Sequence, residues 1–344
     1  MKICFITDQH IGCRKNSKLL HDYFKLFYDN VFFPTLERLG ITTIIDMGDT
    51  FDKRRDIDFL ALSWAKENYY DKLHKMNIKV HTIVGNHTAY FKNTNKINSV
   101  DLLLSGYDNV TVYSDPTEVN VEGLDILFIP WINTENEESV YKAVRGSSAR
   151  LAVAHLELNG FVAHRGHVME DSRDPDPFFK FEKVFSGHYH TRSDNGKIFY
   201  LGNPYEIYFN DVDDVRGFTI FDTETLEHEH VNNPYKLHYQ IVYDEDKIFI
   251  PKDLEGKLVR VIVRNKKDVR KFEKFIEKIN DQGPYEMKVV ENLEFSTIGS
   301  LENIESEDTM SILHSYIDET DVTLDKTKVK NIINDIYKSA LDMV

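Results

Sequence analysis

Three short apolar runs near the start of the chain each end in polar or glycine residues. They span residues 2–7, 41–47 and 78–84, and the turn residues that follow are Asp8, Gly48-Asp49 and Gly85-Asn86-His87. Their length and β-branched content are typical of buried strands. Between them, residues 19–39 and 59–76 carry apolar side chains every three or four positions, which predicts helices. Strand, helix and strand at this spacing predict parallel pairing and an α/β architecture.

The pattern changes after residue 109, where strand-like runs follow one another through turns. The runs are residues 110–113, 118–121, 124–131, 151–155, 197–201 and 217–221. We expect a second sheet, partly antiparallel, packed on the first. Beyond Pro234 two strand-like runs (258–263 and 285–290) flank a helical one (268–280), which predicts a small β-α-β unit.

The last part of the chain has a different pattern. Residues 306–320 and 326–344 both have the spacing of amphipathic helices, and the second carries an apolar stripe from Val329 to Leu341. The stripe either packs on its own protein or binds a partner. We therefore predict three domains: a main body at 1–235, a capping domain at 236–297 and a helical segment at 298–344.

Composition excludes several classes of protein. The 344 residues are 41% hydrophobic and 29% charged, which is ordinary for a globular chain and unlike a disordered or fibrous one. No apolar run approaches the roughly 18 residues of a membrane span. The two cysteines, Cys4 and Cys13, rule out a disulfide framework and favour an intracellular location.

The net charge of −15 (42 basic against 57 acidic residues) argues against a general nucleic-acid coat protein. The charge is uneven, however. Residues 256–278 contain nine Lys or Arg against three acids, a local excess of six positive charges. This stretch is either a solvated surface or a place where an anionic partner binds.

Residues of the types that bind metals follow the predicted strands in order along the chain. They are Asp8, His10, Asp49, Asn86, His87, His155, His188 and His190. Each motif alone is weak, and His228, His230, His164 and His167 have similar spacing but are expected not to be ligands. The occurrence of all these motifs in one chain is stronger evidence for a metal site, because open α/β folds build their sites at the carboxyl ends of strands.

Mixed nitrogen and oxygen ligands suit Mn²⁺, iron or Zn²⁺ better than Ca²⁺. Seven ligands are too many for one tetrahedral ion, but they suit two ions bridged by a shared carboxylate. A two-ion site of this kind fits hydrolysis of a phosphoester.

The order Asp-x-His, Gly-Asp-x-Phe-Asp, Gly-Asn-His and Gly-His-x-His resembles the calcineurin-like metallophosphoesterase superfamily. More narrowly, the chain resembles the nuclease subunits of SbcCD-type DNA-repair complexes, especially those of T4-type phages. The narrower likeness covers the chain to about residue 235 and runs through residues 82–87, 129–131, 155–161, 186–191 and 216–218.

This resemblance implies a four-layer αββα sandwich with two divalent ions at one edge, Mn²⁺ being expected and Mg²⁺ the alternative. By the family pattern, Asp8, His10 and His190 hold one ion. Asn86, His155 and His188 hold the second, and Asp49 bridges the two. His87 is not a ligand in that pattern but acts on the scissile phosphate.

Two positions near the site are ambiguous. The family commonly has an acidic residue after Gly-Asn-His, but this chain has Thr88, which weakens the expectation that His87 is a strong general acid. Asp52 either orients a site residue or caps the segment that follows, and capping is the interpretation that we favour.

The resemblance also implies a DNA substrate, an SMC-like ABC ATPase partner and a homodimer within a two-nuclease, two-ATPase assembly. Cations follow three ligand motifs and are candidate phosphate contacts. They are Arg14, Lys15, Lys53, Arg54, Arg55, Lys92 and Lys96. An aromatic-rich helical face from Leu19 to Tyr28 is either a dimer surface or part of the protein's own core.

The function that this pattern favours is hydrolysis of phosphodiester bonds at DNA ends in recombination, repair and recombination-dependent replication, as exonuclease and endonuclease. One alternative is a metallophosphoesterase that acts on a small phosphodiester or a phosphoprotein. The other is a non-catalytic adaptor on the same scaffold, which would normally have lost several ligands, whereas all of the expected types are present here.

Overall fold

The computed structural model describes residues 1–164 and 166–291. The predicted helices at 306–320 and 326–344, and with them the proposed partner-binding segment at 298–344, lie outside the described residues. No helix of the described part is both long and apolar enough to cross a membrane.

The described residues contain nineteen strands. In chain order they are β1 (Lys2–Ile6), β2 (Thr43–Asp46), β3 (Lys79–Ile83), β4 (Ala89–Phe91), β5 (Thr94–Asn98), β6 (Val110–Tyr113), β7 (Thr117–Val121), β8 (Leu124–Ile129), β9 (Leu151–His155), β10 (Val162–His164), β11 (His167–Val168), β12 (Lys183–Gly187), β13 (Ser193–Asp194), β14 (Ile198–Tyr200), β15 (Gly217–Asp222), β16 (His228–Asn232), β17 (His238–Asp244), β18 (Leu258–Asn265) and β19 (Glu286–Val290).

Helices connect these strands. The α-helices are Lys18–Phe27, Phe33–Leu39, Phe59–Ala65, Asp71–Lys75, Ser99–Leu104, Glu137–Gly146 and Val269–Asn280. Two π-helical turns, Tyr28–Phe32 and Lys66–Tyr70, join the first pair and the second pair into continuous helical segments. Single π turns of this kind are inserted into α-helices where packing demands an extra residue.

Two six-stranded sheets form the core of the main body. The first has the order β16-β15-β1-β2-β3-β6, and the second has the order β13-β14-β12-β9-β8-β7. The pairs β1·β2 and β2·β3 are parallel, as the sequence predicts. In the second sheet β9 pairs parallel with β8 and β12, whereas β7 and β8 are antiparallel.

Three apolar clusters fix the layers. The middle one contains side chains of both sheets, including Phe5 and Ile45 from the first and Val153 and Phe185 from the second. Successive side chains of a strand point to opposite faces. The other face of each sheet therefore packs against helices, through one cluster on the first sheet and another on the second. This is the predicted four-layer αββα arrangement.

The aromatic stripe of the first helix belongs to the protein's own core. Tyr23, Phe24, Phe27 and Tyr28 are all almost completely buried there. Of the two alternatives that the sequence leaves open, a dimer surface or the protein's own core, burial in the core accounts for these four side chains.

A small third sheet follows the main body, with the order β17-β18-β19 and the helix Val269–Asn280 against it. Its own apolar cluster includes Tyr243, Phe272 and Phe275. The sequence pattern predicts β18, the helix and β19 but not β17, which pairs parallel with β18. The domain boundaries at 235 and 297 stay predictions.

Candidate metal centre

The predicted ligands all follow strands whose ends meet at one edge of the two sheets. From the first sheet, β1 is followed by Asp8 and His10, β2 by Asp49, and β3 by Asn86 and His87. In the second sheet β9 ends at His155, and β12 is followed by His188 and His190. Because β1, β2 and β3 are parallel, as are β9 and β12, their carboxyl ends lie on the same side.

The first cluster consists of Asp8, His10 and His190, whose ligand atoms lie within 4.8 Å of one another. The Nε2 atoms of His10 and His190 are 3.0 Å apart, and His10 Nε2 is 3.9 Å from Asp8 Oδ1. His10 Nδ1, on the other side of the ring, lies 3.2 Å from Asp52 Oδ1. A carboxylate in that position holds the ring with its Nε2 directed at a metal.

The second cluster consists of Asp49, Asn86, His155 and His188. Asn86 Oδ1 is 2.9 Å from both His155 Nε2 and His188 Nδ1, and His155 Nε2 is 3.1 Å from Asp49 Oδ2. His155 Nδ1 donates to the Met47 carbonyl at 2.8 Å, because a carbonyl oxygen can only accept. This hydrogen bond leaves the lone pair on Nε2, which faces the other members of the cluster.

The separation of His188 from His190 differs from what strand geometry suggests. Two residues at i and i+2 of a strand share a face, but His188 has φ of 87° and so leaves the extended region. The two side chains consequently join different clusters. Asp8 and His10 do share a cluster, although each has positive φ (52° and 45°) rather than extended geometry. Non-glycine residues rarely adopt such angles, and those that do concentrate at functional sites.

Glycines allow the turns to approach one another closely. A Cβ on Gly85 would lie 2.2 Å from Asp49 Oδ1, and one on Gly187 would lie 2.0 Å from Thr7 Oγ1 and 2.8 Å from Asp8 Oδ2. Glycine is therefore required at both positions, because the Asp49 carboxylate fills the space beside Gly85 and the Thr7 hydroxyl fills the space beside Gly187.

His87 lies beside both clusters but is held differently. Its backbone N–H donates to Asp49 Oδ1 at 2.7 Å, and its Nδ1 donates to the Asp52 carbonyl at 2.6 Å. The ring meets that of His10 edge-on, with centroids 4.8 Å apart. Its Nε2 is therefore the nitrogen that remains for a substrate.

Asp52 is a site residue, and the capping interpretation that the sequence favours is wrong. Its carboxylate faces His10 and its carbonyl accepts from His87. The following helix Phe59–Ala65 is capped instead by Asp58, whose Oδ1 accepts from the Leu60 N–H at 2.8 Å. The second Asp of Gly-Asp-x-Phe-Asp is the signal that could have identified this role.

Thr88 is fully buried and turned away from His87. Its Oγ1 accepts from the Gly85 N–H at 2.9 Å and donates to the Gly85 carbonyl at 3.1 Å. It stabilises the turn that carries Asn86 and His87. In this chain the Asp52 carbonyl, rather than a following carboxylate, orients the His87 ring.

A buried arginine supports His190 from behind. Arg216 donates to the His190 carbonyl and to Asn203 Oδ1, and its other terminal nitrogen lies 2.9 Å from Asp211 Oδ1 and 3.0 Å from Asp214 Oδ2. It is 4% exposed, and the two carboxylates neutralise its charge. The motif Arg216-Gly217-Phe218 marks this position in the sequence, but only the fold shows what Arg216 contacts.

Burial and neighbouring charges shift the protonation of the second cluster. Burial lowers the pKa of His155, but the Asp49 carboxylate raises it, and the result is a pKa of about 9. Burial raises the pKa of Asp49, but His155 more than offsets this and holds it below its usual range. Burial, and then His155, lower the pKa of His188 to about 3. A cation at this cluster would therefore replace a proton shared near His155 and Asp49.

The donor set fits divalent metal ions. The Nε2 atoms of His10 and His190 lie 3.0 Å apart, so one proton or one cation between them can satisfy both rings. Imidazole, carboxylate and amide donors together suit Mn²⁺, iron or Zn²⁺. Each cluster also has a partner that orients a ligand ring, Asp52 in the first and the Met47 carbonyl in the second.

The histidines expected not to be ligands lie in other contacts. His228 and His230 are on β16, where His228 Nδ1 lies 3.2 Å from Lys183 Nζ and His230 contacts Arg192. The rings of His164 and His167 stack on each other at 4.8 Å in the β10–β11 hairpin.

The cations predicted to contact DNA lie on three turns that follow ligands. Arg14 and Lys15 are exposed in a left-handed turn, Cys13–Asn16. Lys53 and Arg55 are exposed and Arg54 is half-buried. Lys92 and Lys96 are exposed on the β4–β5 hairpin. Lys53 forms an ion pair with Asp56 and Lys96 forms one with Glu135.

Comparisons with known proteins agree with the geometry. No protein-family model matches the chain. The chain is 33% identical over 346 residues to exonuclease subunit 1 of Enterobacteria phage T4, and the match covers 99% of each protein.

Two solved structures are more remote. One is described as a novel archaeal phosphodiesterase (12% identity, 68% of this chain and 100% of that one, TM-score 0.35). The other is the protein TT1561 of Thermus thermophilus (10% identity, 67% and 98%, TM-score 0.42). The full-length match to the phage protein is therefore the informative one. On its strength the chain belongs to the family of exonuclease subunit 1 of phage T4.

Proposed function

We propose that this protein is the metal-dependent nuclease subunit of a DNA-processing complex and hydrolyses phosphodiester bonds at DNA ends. The observation that carries the proposal is the convergence of seven donor residues from two sheets into two adjacent clusters. The name of the phage T4 relative, an exonuclease subunit, supports DNA as the substrate.

Two divalent ions, Mn²⁺ in preference to Mg²⁺, would be held by these clusters. Asp8, His10 and His190 would hold one ion, and Asn86, His155 and His188 the other. Asp49 would bridge them. When bound, such ions supply Lewis acidity toward the phosphoryl oxygens and activate water for in-line attack.

His87 is the candidate catalytic residue that is not a ligand. Its Nδ1 is engaged with the Asp52 carbonyl, so its Nε2 is the atom available to a phosphate. There it would stabilise the developing negative charge or give a proton to the leaving oxygen. The hydrogen bond from the His87 backbone N–H to Asp49 Oδ1 fixes His87 beside the carboxylate that is proposed to bridge the two ions.

DNA binding by this subunit alone is expected to be weak, because the whole chain carries a net charge of −15. The exposed cations on the three turns beside the site (Arg14, Lys15, Lys53, Arg54, Arg55, Lys92 and Lys96) would contact phosphates locally. An SMC-like ABC ATPase would supply the remaining DNA contacts in a two-nuclease, two-ATPase assembly, acting inside the cell in recombination, repair and recombination-dependent replication.

A digestion of end-labelled duplex and single-stranded DNA tests this function. We expect products in Mn²⁺, less product in Mg²⁺ and none in a chelator. Comparing turnover of a small chromogenic phosphodiester with that of linear DNA separates a nuclease from a phosphatase-like enzyme. If the purified protein with Mn²⁺, alone and with its ATPase, leaves every DNA substrate intact while it hydrolyses the small ester, the proposed function is wrong.

A further inference from the structure

Two aromatic side chains are exposed on the hairpin that follows His87. Tyr90 is 37% exposed and Phe91 is 45% exposed. Their rings meet edge to face, with centroids 4.7 Å apart. Aromatic rings contribute a large apolar area to an interface when a ligand covers them.

The hairpin that presents these rings, β4–β5, is anchored rather than loose. Asn95 is buried and donates to the Trp131 carbonyl at 2.9 Å, and its Oδ1 accepts from Asn133 Nδ2 at 3.1 Å. Asn98 is also buried, and its Nδ2 donates to the Asn95 carbonyl at 3.0 Å. Buried amide hydrogen bonds of this kind fix the position of the exposed strand residues.

The anchor connects the hairpin with the metal centre. The Trp131 ring packs on the ring of His188, with centroids 4.9 Å apart, and lies 6.1 Å from that of His155. At the other end, only Thr88 and Ala89, both buried, separate His87 from Tyr90. Three residues of extended chain span at most about 10 Å. The Cα atoms of His87 and Tyr90 are therefore no more than about 10 Å apart, which is the scale of one or two nucleotides.

Two cationic side chains accompany the pair, Arg55 in space and Lys92 in sequence. The Arg55 guanidinium lies over the Tyr90 ring, 5.9 Å from its centroid. Lys92, the residue after Phe91, is exposed. Cations that flank an exposed ring are the combination that binds single-stranded nucleic acid, where the ring stacks on a base and the cation contacts the phosphate.

We propose that Tyr90 and Phe91 form a stacking platform for an unpaired nucleobase next to the scissile phosphate, with Arg55 contacting the adjoining phosphate. This inference rests on the proposed nuclease function and deepens it. The platform would hold one strand after the end of a duplex has opened, and it would position that strand for cleavage whatever its sequence, because every base has a π-face.

An abasic scan of the substrate tests the platform. A single-stranded oligonucleotide carries one abasic site at successive positions around the cleavage point, and initial cleavage rates are measured in Mn²⁺ at low substrate concentration. We expect the cleavage rate of the wild-type protein to fall by about tenfold to a hundredfold when the abasic site is at one particular position or at either of two adjacent positions. The double variant Tyr90→Leu/Phe91→Leu should cleave the intact oligonucleotide more slowly than the wild type by a similar factor. An abasic site at the sensitive position should not slow the double variant further.

Two matched variants accompany this experiment. Phe91→Tyr keeps a ring and should keep the sensitivity to the abasic site. Leu102→Ala removes a large side chain that is 68% exposed on the helix Ser99–Leu104, and it should behave as the wild type does. Thermal unfolding and Mn²⁺ content check that each variant is folded and loaded.

The outcomes separate the platform from the nuclease function. If the wild-type protein cleaves DNA but no abasic site slows it, the stacking proposal is wrong and the nuclease function stands. The same conclusion follows if the double variant is as sensitive to the abasic site as the wild type. If no oligonucleotide is cleaved, the proposed function fails. A titration with 2-aminopurine at the same position then still decides the platform, because stacking quenches its fluorescence in the wild type but not in the double variant.

Discussion

The two sheets contribute different chemistry to the same edge. The first supplies all the oxygen donors, Asp8, Asp49 and Asn86, together with His10 and His87. The second supplies only histidines, His155, His188 and His190. Neither sheet could build the centre alone, because each cluster combines donors from both.

Residues that follow the strands of each sheet also form hydrogen bonds with ligand residues of the other sheet. The Met47 carbonyl after β2 accepts from His155, and the His188 N–H donates to Asp8 Oδ2 at 3.0 Å. Within the first sheet, the turn after β1 is tied to the turn after β2, since the Asp8 N–H donates to the Gly48 carbonyl. The contrast teaches that the site is a property of the interface between the sheets.

The largest effect is expected from the carboxylate proposed to serve both ions. Asp49→Asn keeps the side-chain shape but removes the negative charge, so DNA cleavage in Mn²⁺ should fall by at least about a thousandfold, since a metal-ion clamp contributes several kcal/mol. His188→Ala, a change in the second sheet's ligands, should reduce the cleavage rate by a similar factor. Single-turnover cleavage rates measure both.

The control for these two changes is Asp125→Asn, which alters an exposed carboxylate on β8 that accepts from Asn120. It should cleave at the wild-type rate. Survival of cleavage in Asp49→Asn would mean that the Asp49 carboxylate does not bridge the two ions.

The next effect concerns the packing that joins the sheets. Phe185 on β12 is fully buried, with its ring 5.0 Å from that of Phe5 and 5.5 Å from that of Phe221, both on the first sheet. Phe185→Ala should lower the free energy of unfolding by about 3–5 kcal/mol through lost burial and a cavity. Phe249→Ala, at an exposed position, should change it by less than about 0.5 kcal/mol. Urea unfolding compares the two, and equal stability would contradict a shared core.

A third test uses the buried carboxyl beneath the first sheet's ligands. Burial raises the pKa of Asp46 from 3.8 to about 7. The folded state therefore binds this proton more tightly than the unfolded state, and by linkage its contribution to stability decreases as pH rises from about 4 to 7. Asp46→Asn removes that dependence.

The stability of Asp46→Asn relative to the wild type should therefore improve by about 2 kcal/mol between pH 5 and pH 8. Urea unfolding at both values measures the difference, and Asp125→Asn should show no such trend. A constant difference between Asp46→Asn and wild type would show that the carboxyl titrates alike in both states.

The smallest effect should separate the two clusters. Arg216 holds the carbonyl of His190, a member of the first cluster only. Arg216→Met should weaken the binding of one Mn²⁺ ion by about tenfold to a hundredfold, as loss of a group that orients a ligand does, and leave the other ion's affinity as it is. Isothermal titration of Mn²⁺ resolves the two events, and Arg192→Met, which removes a contact to His230 instead, is the matched control. Equal weakening of both ions would show that Arg216 acts on the fold as a whole.

Local pattern was sufficient for four of the five strands that carry the ligands. The runs that became β1, β2, β3 and β9 are short, apolar and closed by turn residues, and the parallel pairing that they predict brings their ends together. The hairpin β4–β5 and the strands β12 and β17 were not predicted from the pattern of apolar and polar residues.

By itself, then, the sequence determined which residue types follow which strands and that two sheets with outer helices would form. Only the tertiary structure decided that Asp52 faces His10 and that Arg216 supports His190. The physical reason is that hydrophobic periodicity records which face of an element is buried. The pairing of individual polar atoms depends on backbone turns and on partners far along the chain, which leave no periodic signal.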